Sequence, residues 1–198
     1  MSFMVWPSPD SAGEERSCAT KADVFTPAEV DQIVAAASAR VRAAAEVGRP
    51  GAIDRSYRSA SLSWLHPADV PWVFERLAAV ARELNGRWFG FDLSGFHDPL
   101  QVTRYDAADM GQYAWHTDRG TYVSGNPPRK LTLVAQLTDG AAYEGGDLEL
   151  LTARDPLRLD RQIGSVHVFP SFVLHRVTPV TAGARVSLVG WIVGPRFR

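Results

Sequence analysis

The sequence predicts an α+β protein: a double-stranded β-helix (jelly roll) core buttressed by N-terminal helices. Three observations carry this expectation. Apolar residues recur at helical spacing in two stretches before residue 86. From Trp88 onward the texture changes to short strand patterns punctuated by Gly, Pro, Asn and Asp. The chain has 198 residues, a length that suits one domain with a full hydrophobic core.

Taken in order, residues 1–20 read as a flexible lead-in, broken by Pro7, Pro9 and Gly13. The remainder, 21–198, reads as a single domain, with helical support over about 24–86 and the jelly-roll core over about 87–195. Thr26-Pro27-Ala28-Glu29 carries an N-cap, a first-turn proline and the glutamate of a capping box. It opens a helix expected to run to about Val47, where Gly48-Arg49-Pro50-Gly51 stops it. Val30, Ile33, Val34, Ala37 and Val41 form its apolar stripe. Tyr57–Leu65 reads as one strand. A second helix is expected from about Ala68 to Asn85, with Asp69 as cap and Val73, Leu77, Val80 and Leu84 facing inward. Strands are expected near 87–93, 100–106, 111–117, 130–138, 147–152, 165–170, 173–178 and 185–193. The expected architecture sets helices outside a β jelly roll.

Composition narrows the function classes. Hydrophobic residues make up 45% and charged residues 22%, with a net charge of −1. Without a basic block, an electrostatic grip on nucleic acid is not expected. No stretch approaches the roughly 20 apolar residues of a membrane span, and no apolar segment marks a signal peptide at the start. Cys18 is the sole cysteine, which excludes an internal disulfide and suits a reducing compartment, so a cytoplasmic location is expected. Oligomeric state is not legible.

The chemistry centres on Tyr113-Ala114-Trp115-His116-Thr117-Asp118. On a strand, His116 and Asp118 point to one side and make half of a metal site. His175, in Val173-Leu174-His175-Arg176-Val177, supplies a third ligand. Both histidines sit among apolar neighbours, where an imidazole must be paired or ligated. Two His and one carboxylate on one face of an octahedron form the facial triad of non-haem Fe(II) sites and leave three positions open. Ten residues beyond His175, alternation puts Arg185, Ser187, Val189 and Trp191 on one face. Trp191 marks that face as the inner one, so Arg185 is a buried cation that needs an anion. A dicarboxylate suits it, through a bidentate pair with the guanidinium and a bond from the Ser187 hydroxyl.

Residues 100–193 resemble the 2-oxoglutarate and Fe(II)-dependent oxygenase superfamily, particularly its prolyl-4-hydroxylase-like branch. The matching stretches are Leu100-Gln101-Val102-Thr103-Arg104-Tyr105, Gly111-Gln112-Tyr113 leading into His116-Thr117-Asp118, and Glu144-Gly145-Gly146-Asp147-Leu148. Phe169-Pro170-Ser171, Leu174-His175-Arg176-Val177 with Pro179-Val180, and Gly183 with Arg185-Val186-Ser187-Leu188 complete the series. The resemblance implies that His116, Asp118 and His175 bind Fe(II). It implies that Arg185 holds the distal carboxylate of the cosubstrate 2-oxoglutarate with help from Ser187. Tyr105 would line that pocket and Trp191 would pack beside it. Animal prolyl hydroxylases place a tyrosine on the following strand against the same carboxylate; the position here is Gln136. The implied reaction consumes O2 and 2-oxoglutarate, gives succinate and CO2, and hydroxylates a C–H bond of a peptidyl (a prolyl residue included) or small-molecule substrate.

Two other classes compete: a non-catalytic jelly-roll module that binds metal and ligand, and a zinc hydrolase using the same three ligands. Neither needs the carboxylate clamp of Arg185 and Ser187. Three further expectations concern other residues. His167 is a candidate ligand or ligand support near His175. The Gly/Pro-rich loop 119–129 is a candidate substrate lid, and Arg119, Arg129 and Lys130 would make the mouth basic. Glu144-Gly145-Gly146 reads as turn chemistry.

Overall fold

The computed structural model describes residues 16–40, 43–44, 54–120 and 126–196. In chain order these form β1 (Ala19–Lys21), α1 (Pro27–Ser38), β2 (Ala43–Ala44), β3 (Arg58–Ser59), β4 (Ser61–Leu65), α2 (Pro71–Leu84), β5 (Gly95–Phe96) and β6 (Leu100–Asp106). There follow β7 (Gln112–His116), β8 (Arg129–Gln136), β9 (Tyr143–Gly145), β10 (Leu148–Leu151), β11 (Leu157–Arg158), β12 (Val166–Pro170), β13 (Leu174–Val177) and β14 (Val180–Val193). The strands pair antiparallel in two sheets. The larger runs β1-β12-β8-β14-β6-β4-β2, with β5 and β9 also pairing β14; the smaller runs β11-β10-β13-β7-β3. The expected α+β class and jelly-roll core are both present.

Alternation along the large sheet separates two buried layers. Leu100 and Val102 of β6, Leu131, Leu133 and Ala135 of β8, and Leu188 and Ile192 of β14 share a core with the helices. That core takes Val30, Ile33 and Ala37 of α1 and Val73, Leu77, Val80 and Leu84 of α2. Burying each Val, Leu or Ile side chain among these is worth about 1.5–3 kcal/mol, which fixes the outer face of the sheet. The opposite parity, Tyr105, Val134 and Phe169, meets Leu148, Leu150 and Val177 of the small sheet. The space between the sheets is therefore lined by the residues that alternate with the helix-facing ones.

Several expected boundaries move. The capping box at Thr26 forms: the Glu29 N–H donates to Thr26 Oγ1 at 3.3 Å, and Glu29 Oε2 accepts from the Thr26 N–H at 2.9 Å. The helix ends at Ser38, however, short of Val47. Ala43 and Ala44 pair with Leu62 and Ser61, so sheet pairing overrides the helical preference of alanine. Its expected last turn falls partly outside the described residues. Asp69 does not cap α2. Its carboxylate accepts from the His66 N–H and pairs with Arg40, while Pro71 takes the first helical position. No strand forms at 87–93. Asn85–Phe89 makes a wide helical turn, closed by Gly90 at φ 65° and by Asn85, whose amide bonds the Phe91 N–H and carbonyl. Residues 19 and 20 of the expected lead-in lie in β1 against β12; residues 1–15 lie outside the described residues.

Tyr57–Leu65 is not one strand. Arg58–Ser59 pairs with β7 in the small sheet and Ser61–Leu65 with β6 in the large one. The chain crosses between sheets at Ala60 and so contributes to both walls of the space between them.

Candidate metal centre and anion pocket

β7 ends at His116, and Cα pairing sets His116 opposite His175 of β13. Their ring centroids are 4.1 Å apart. Asp118 lies past the end of the strand. Its N–H donates to the Ser171 carbonyl at 2.9 Å and its Oδ2 accepts from Thr132 Oγ1 at 3.0 Å, so a turn and a neighbouring strand deliver the carboxylate. Asp118 Oδ1 is 3.7 Å from His116 Nε2, and Oδ2 is 3.5 Å from His175 Nε2. One donor atom from each of the three residues lies within 4.8 Å of the others.

The tautomers follow from the backbone. His116 Nδ1 is 2.7 Å from the Ala114 carbonyl and His175 Nδ1 is 3.0 Å from the Val173 carbonyl. A carbonyl only accepts, so each Nδ1 carries a proton and each Nε2 faces the shared space. Tyr113 stacks on the His116 ring at 3.4 Å and holds its plane. Burial, then repulsion from His175, push the His116 pKa down to about 4. Burial alone would raise Asp118, but His175 and His116 outweigh it and hold the carboxyl well below the usual range. Burial lowers His175, yet contact with Asp118 prevails and raises it. The centre thus presents one neutral imidazole, one carboxylate and one imidazole, His175, that Asp118 favours in its protonated form. Once His175 gives up that proton, two Nε2 donors and one carboxylate oxygen, with the remaining directions open to a cavity, fit an octahedral Fe(II).

That cavity has a volume of about 180 Å³. It is several times the roughly 30 Å³ share of one water, so it takes a small organic molecule. Its floor is Arg185 and Ser187. Arg185 is 2% exposed and donates to Ser187 Oγ at 3.3 Å; among the described residues no carboxylate pairs with it. Tyr105, its Cα partner on β6, lies under the guanidinium with the ring centroid 5.8 Å away. Gly146, at φ 63°, lets the backbone press close: a Cβ there would lie 3.3 Å from Arg185 Cδ. Trp191 forms a side wall, with Arg129 over its ring at 3.8 Å. The Trp191 N–H faces Asp118 and helps lower it, but makes no hydrogen bond of good geometry and is buried without a partner among the described residues. A buried guanidinium with no counter-ion among the described residues, next to a three-ligand centre, fits an anionic ligand.

Three expectations need correction. Gln136 does not line the cavity: its amide donates to the Thr138 carbonyl at 3.0 Å and to Tyr143 Oη at 2.8 Å. Val134, one inward position earlier on β8, takes the wall instead. His167 is no ligand. Its Nδ1 is 2.8 Å from Thr20 Oγ1 and its Nε2 is 3.1 Å from the Asp160 carbonyl, so β1 satisfies it in the core. The mouth is less basic than expected, because Arg129 pairs with Asp98 at 2.7 Å and Lys130 is buried. Within the candidate lid, residues 121–125 lie outside the described residues. The reading of Glu144-Gly145-Gly146 as a turn holds: both glycines have positive φ, and a Cβ on Gly145 would meet the Pro179 carbonyl oxygen at 2.0 Å. The cavity also contains Arg58, Trp64, Gln101 and Thr103, none of which stood out as site residues. Gln101 and Thr103 alternate with Leu100 and Val102, a signal that parity with Tyr105 could have supplied.

Residues 100–193 match the model of the 2OG-Fe(II) oxygenase superfamily. A PKHD-type hydroxylase of Bordetella pertussis (strain Tohama I) is 32% identical over 184 residues, covering 86% of this chain and 76% of the relative. The chain belongs to the 2OG-Fe(II) oxygenase superfamily. A PKHD-type hydroxylase of Synechococcus sp. (strain CC9311) is 40% identical over 103 residues, or 50% of this chain. The chain spans about half the length of that relative, 46%. Among solved structures, a prolyl hydroxylase from Trichoplax adhaerens in complex with a hypoxia inducible factor peptide superposes with a TM-score of 0.73 at 16% identity. It covers 90% of this chain and 84% of its own. A Pseudomonas putida prolyl-4-hydroxylase gives 0.71 at 21% identity over 89% of this chain and 92% of its own. At these identities the likeness is one of fold. No helix among the described residues is long and apolar enough to cross a membrane.

Proposed function

We propose that this oxygenase is an Fe(II)- and 2-oxoglutarate-dependent hydroxylase acting on a C–H bond of a peptidyl or small-molecule substrate. It would work through a single domain over 21–198, in the cytoplasm. One observation carries the reading: Arg185 is buried without a carboxylate partner among the described residues, in the cavity onto which the His116–Asp118–His175 centre opens. A zinc hydrolase or a bare binding module has no use for that guanidinium. The family and the PKHD-type hydroxylase relatives point the same way.

His116, Asp118 and His175 would hold Fe(II), and Arg185 with Ser187 would hold the distal carboxylate of 2-oxoglutarate. When bound, the metal and cosubstrate supply the oxidising power, with one atom of O2 entering succinate as CO2 leaves and the other entering the substrate. The protein's part is positional. The Ala114 and Val173 carbonyls fix each imidazole tautomer, and Thr132 orients Asp118. Val134, Leu148, Val177 and Val189 line the cavity and keep water from a reactive centre. The test is conversion of 2-oxoglutarate to succinate under air with Fe(II), with and without prolyl peptides and amino acids. Iron-dependent succinate supports the reading. A protein that binds iron but neither binds nor converts 2-oxoglutarate refutes it.

A further inference from the structure

The cavity holds a second arginine that the cosubstrate does not account for. Arg58 stands in β3, just before the chain crosses between sheets, and is 9% exposed. Its Nη2 donates to Gln101 Oε1 at 2.8 Å, which also accepts from Thr103 Oγ1 at 3.2 Å. Its guanidinium lies 4.3 Å from the Tyr113 ring centroid, and Tyr113 stacks on the ligand His116. The Tyr105 hydroxyl is also within reach of the guanidinium, while the buried Arg58 Nε has no hydrogen-bond partner among the described residues. No carboxylate among the described residues pairs with it.

A charge count isolates it. Among the described residues, the charged ones lining the cavity are Arg58, Arg129, Arg185 and Asp118, besides the two histidines. Arg129 is paired with Asp98. A divalent metal and a dicarboxylate cosubstrate cancel, and Asp118 and Arg185 cancel. One positive charge remains, on Arg58, with a donor left over. Arg58 belongs to the wall built by β3, β6 and β7, beside the ligand His116, whereas Arg185 and Ser187 lie on β14. A neutral peptide carbonyl would satisfy the donor but leave the charge buried and unpaired, which is costly.

We propose that the substrate of this site carries a carboxylate, and that Arg58, backed by Gln101 and Tyr113, is the residue that selects it. This rests on the oxygenase reading above. The carboxylate belongs to a free amino acid or small organic acid, or to the C-terminus of a short peptide; the chemistry recognised is the same. The planar fork of Arg58 suits it, and loss of the buried pair removes most of the discrimination between acid and amide.

The test uses full-length protein loaded with Mn(II) and saturated with 2-oxoglutarate without O2. The probes are the apolar amino acids, free and N-acetylated, and Gly-Ala-X tripeptides, each as the acid and as the primary carboxamide. Mn(II)-induced relaxation of probe protons reports both affinity and closeness to the metal. At least one acid is expected to bind about tenfold or more tighter than its amide, as for a buried charge pair. The free, acetylated and tripeptide arms identify its source. Arg58→Met should abolish the preference while 2-oxoglutarate affinity stays within about threefold of wild type. Arg58→Lys should retain the preference in part, which separates charge from folding if the Met variant is unstable. Equal binding of acids and amides, or no binding by any acid, overturns the proposal. So does a loss of 2-oxoglutarate affinity in Arg58→Met, which would give Arg58 to the cosubstrate. Failure of wild type to bind 2-oxoglutarate at the start refutes the oxygenase reading instead.

Discussion

Replacing Arg185 with methionine should move two observables in opposite directions. Arg185 is 2% exposed and donates to Ser187 Oγ at 3.3 Å. Among the described residues no carboxylate compensates its buried charge. Methionine fills similar space without charge and removes the desolvation penalty of an unpaired buried cation. For a chain of this length each 1 kcal/mol is worth roughly 2–4 °C, so the ligand-free melting temperature should hold or rise. Binding should suffer instead. Removing one partner of a buried, hydrogen-bonded charge pair costs about 2–5 kcal/mol. That is a loss of roughly 30-fold to several thousand-fold in 2-oxoglutarate affinity. Calorimetric titration of Mn(II)-loaded protein without O2 measures the second effect, and thermal denaturation of metal-free protein the first. Mn(II) affinity itself should change little, because Arg185 touches no ligand. An Arg185→Met protein that binds 2-oxoglutarate within threefold of wild type would refute the reasoning. A large fall in ligand-free stability would show that Arg185 serves the fold instead.

Other expected outcomes follow from the same geometry. Asp118→Asn replaces the anionic ligand with a neutral one and should weaken divalent metal binding at least tenfold, checked by calorimetry with Mn(II). Metal binding should weaken on acidification: His116, with a pKa of about 4, is already neutral and Asp118 already ionised, whereas the raised His175 must lose its proton. Below the His175 pKa, about one proton should therefore be released per metal bound, measured by titration in buffers of different ionisation enthalpy. Gln136→Leu should leave 2-oxoglutarate affinity within about threefold while lowering the melting temperature, since its amide serves Thr138 and Tyr143 and not the cavity. Gly145→Ala should destabilise by more than about 2 kcal/mol in denaturant unfolding, because it combines positive φ with a Cβ 2.0 Å from the Pro179 oxygen.

How legible the site was depended on whether a residue's face could be read without knowing its sheet. β14 runs unbroken through Val180–Val193, so alternation alone aligned Arg185, Ser187 and Trp191, and all three line the cavity. His116 and His175 stood out because apolar neighbours made each imidazole an anomaly. Asp118 was found by strand alternation, although the structure delivers it by a turn tied to Ser171 and Thr132. Gln136 has the right parity but the wrong depth: β8 carries it past the end of the cavity, and how far along a strand a cavity extends is a property of sheet pairing. Arg58 was missed for a related reason. No glycine or proline marks the crossing at Ala60, and only the separate partners of β3 and β4 reveal it. His167 had the same anomaly as the ligands, but its partner Thr20 lies 147 positions away in a segment that carried no strand signal.

The most direct measurement of the central claim is equilibrium binding of 2-oxoglutarate to wild-type protein without O2, with and without Mn(II) or Fe(II). Metal at His116, Asp118 and His175 and the Arg185 clamp would act on the same small dicarboxylate. Binding should therefore be tight with metal, at least about tenfold weaker without it, and competed by succinate far less than by 2-oxoglutarate analogues that keep the keto group. A protein that takes up the metal through these three residues yet shows no metal-dependent affinity for 2-oxoglutarate would contradict the account.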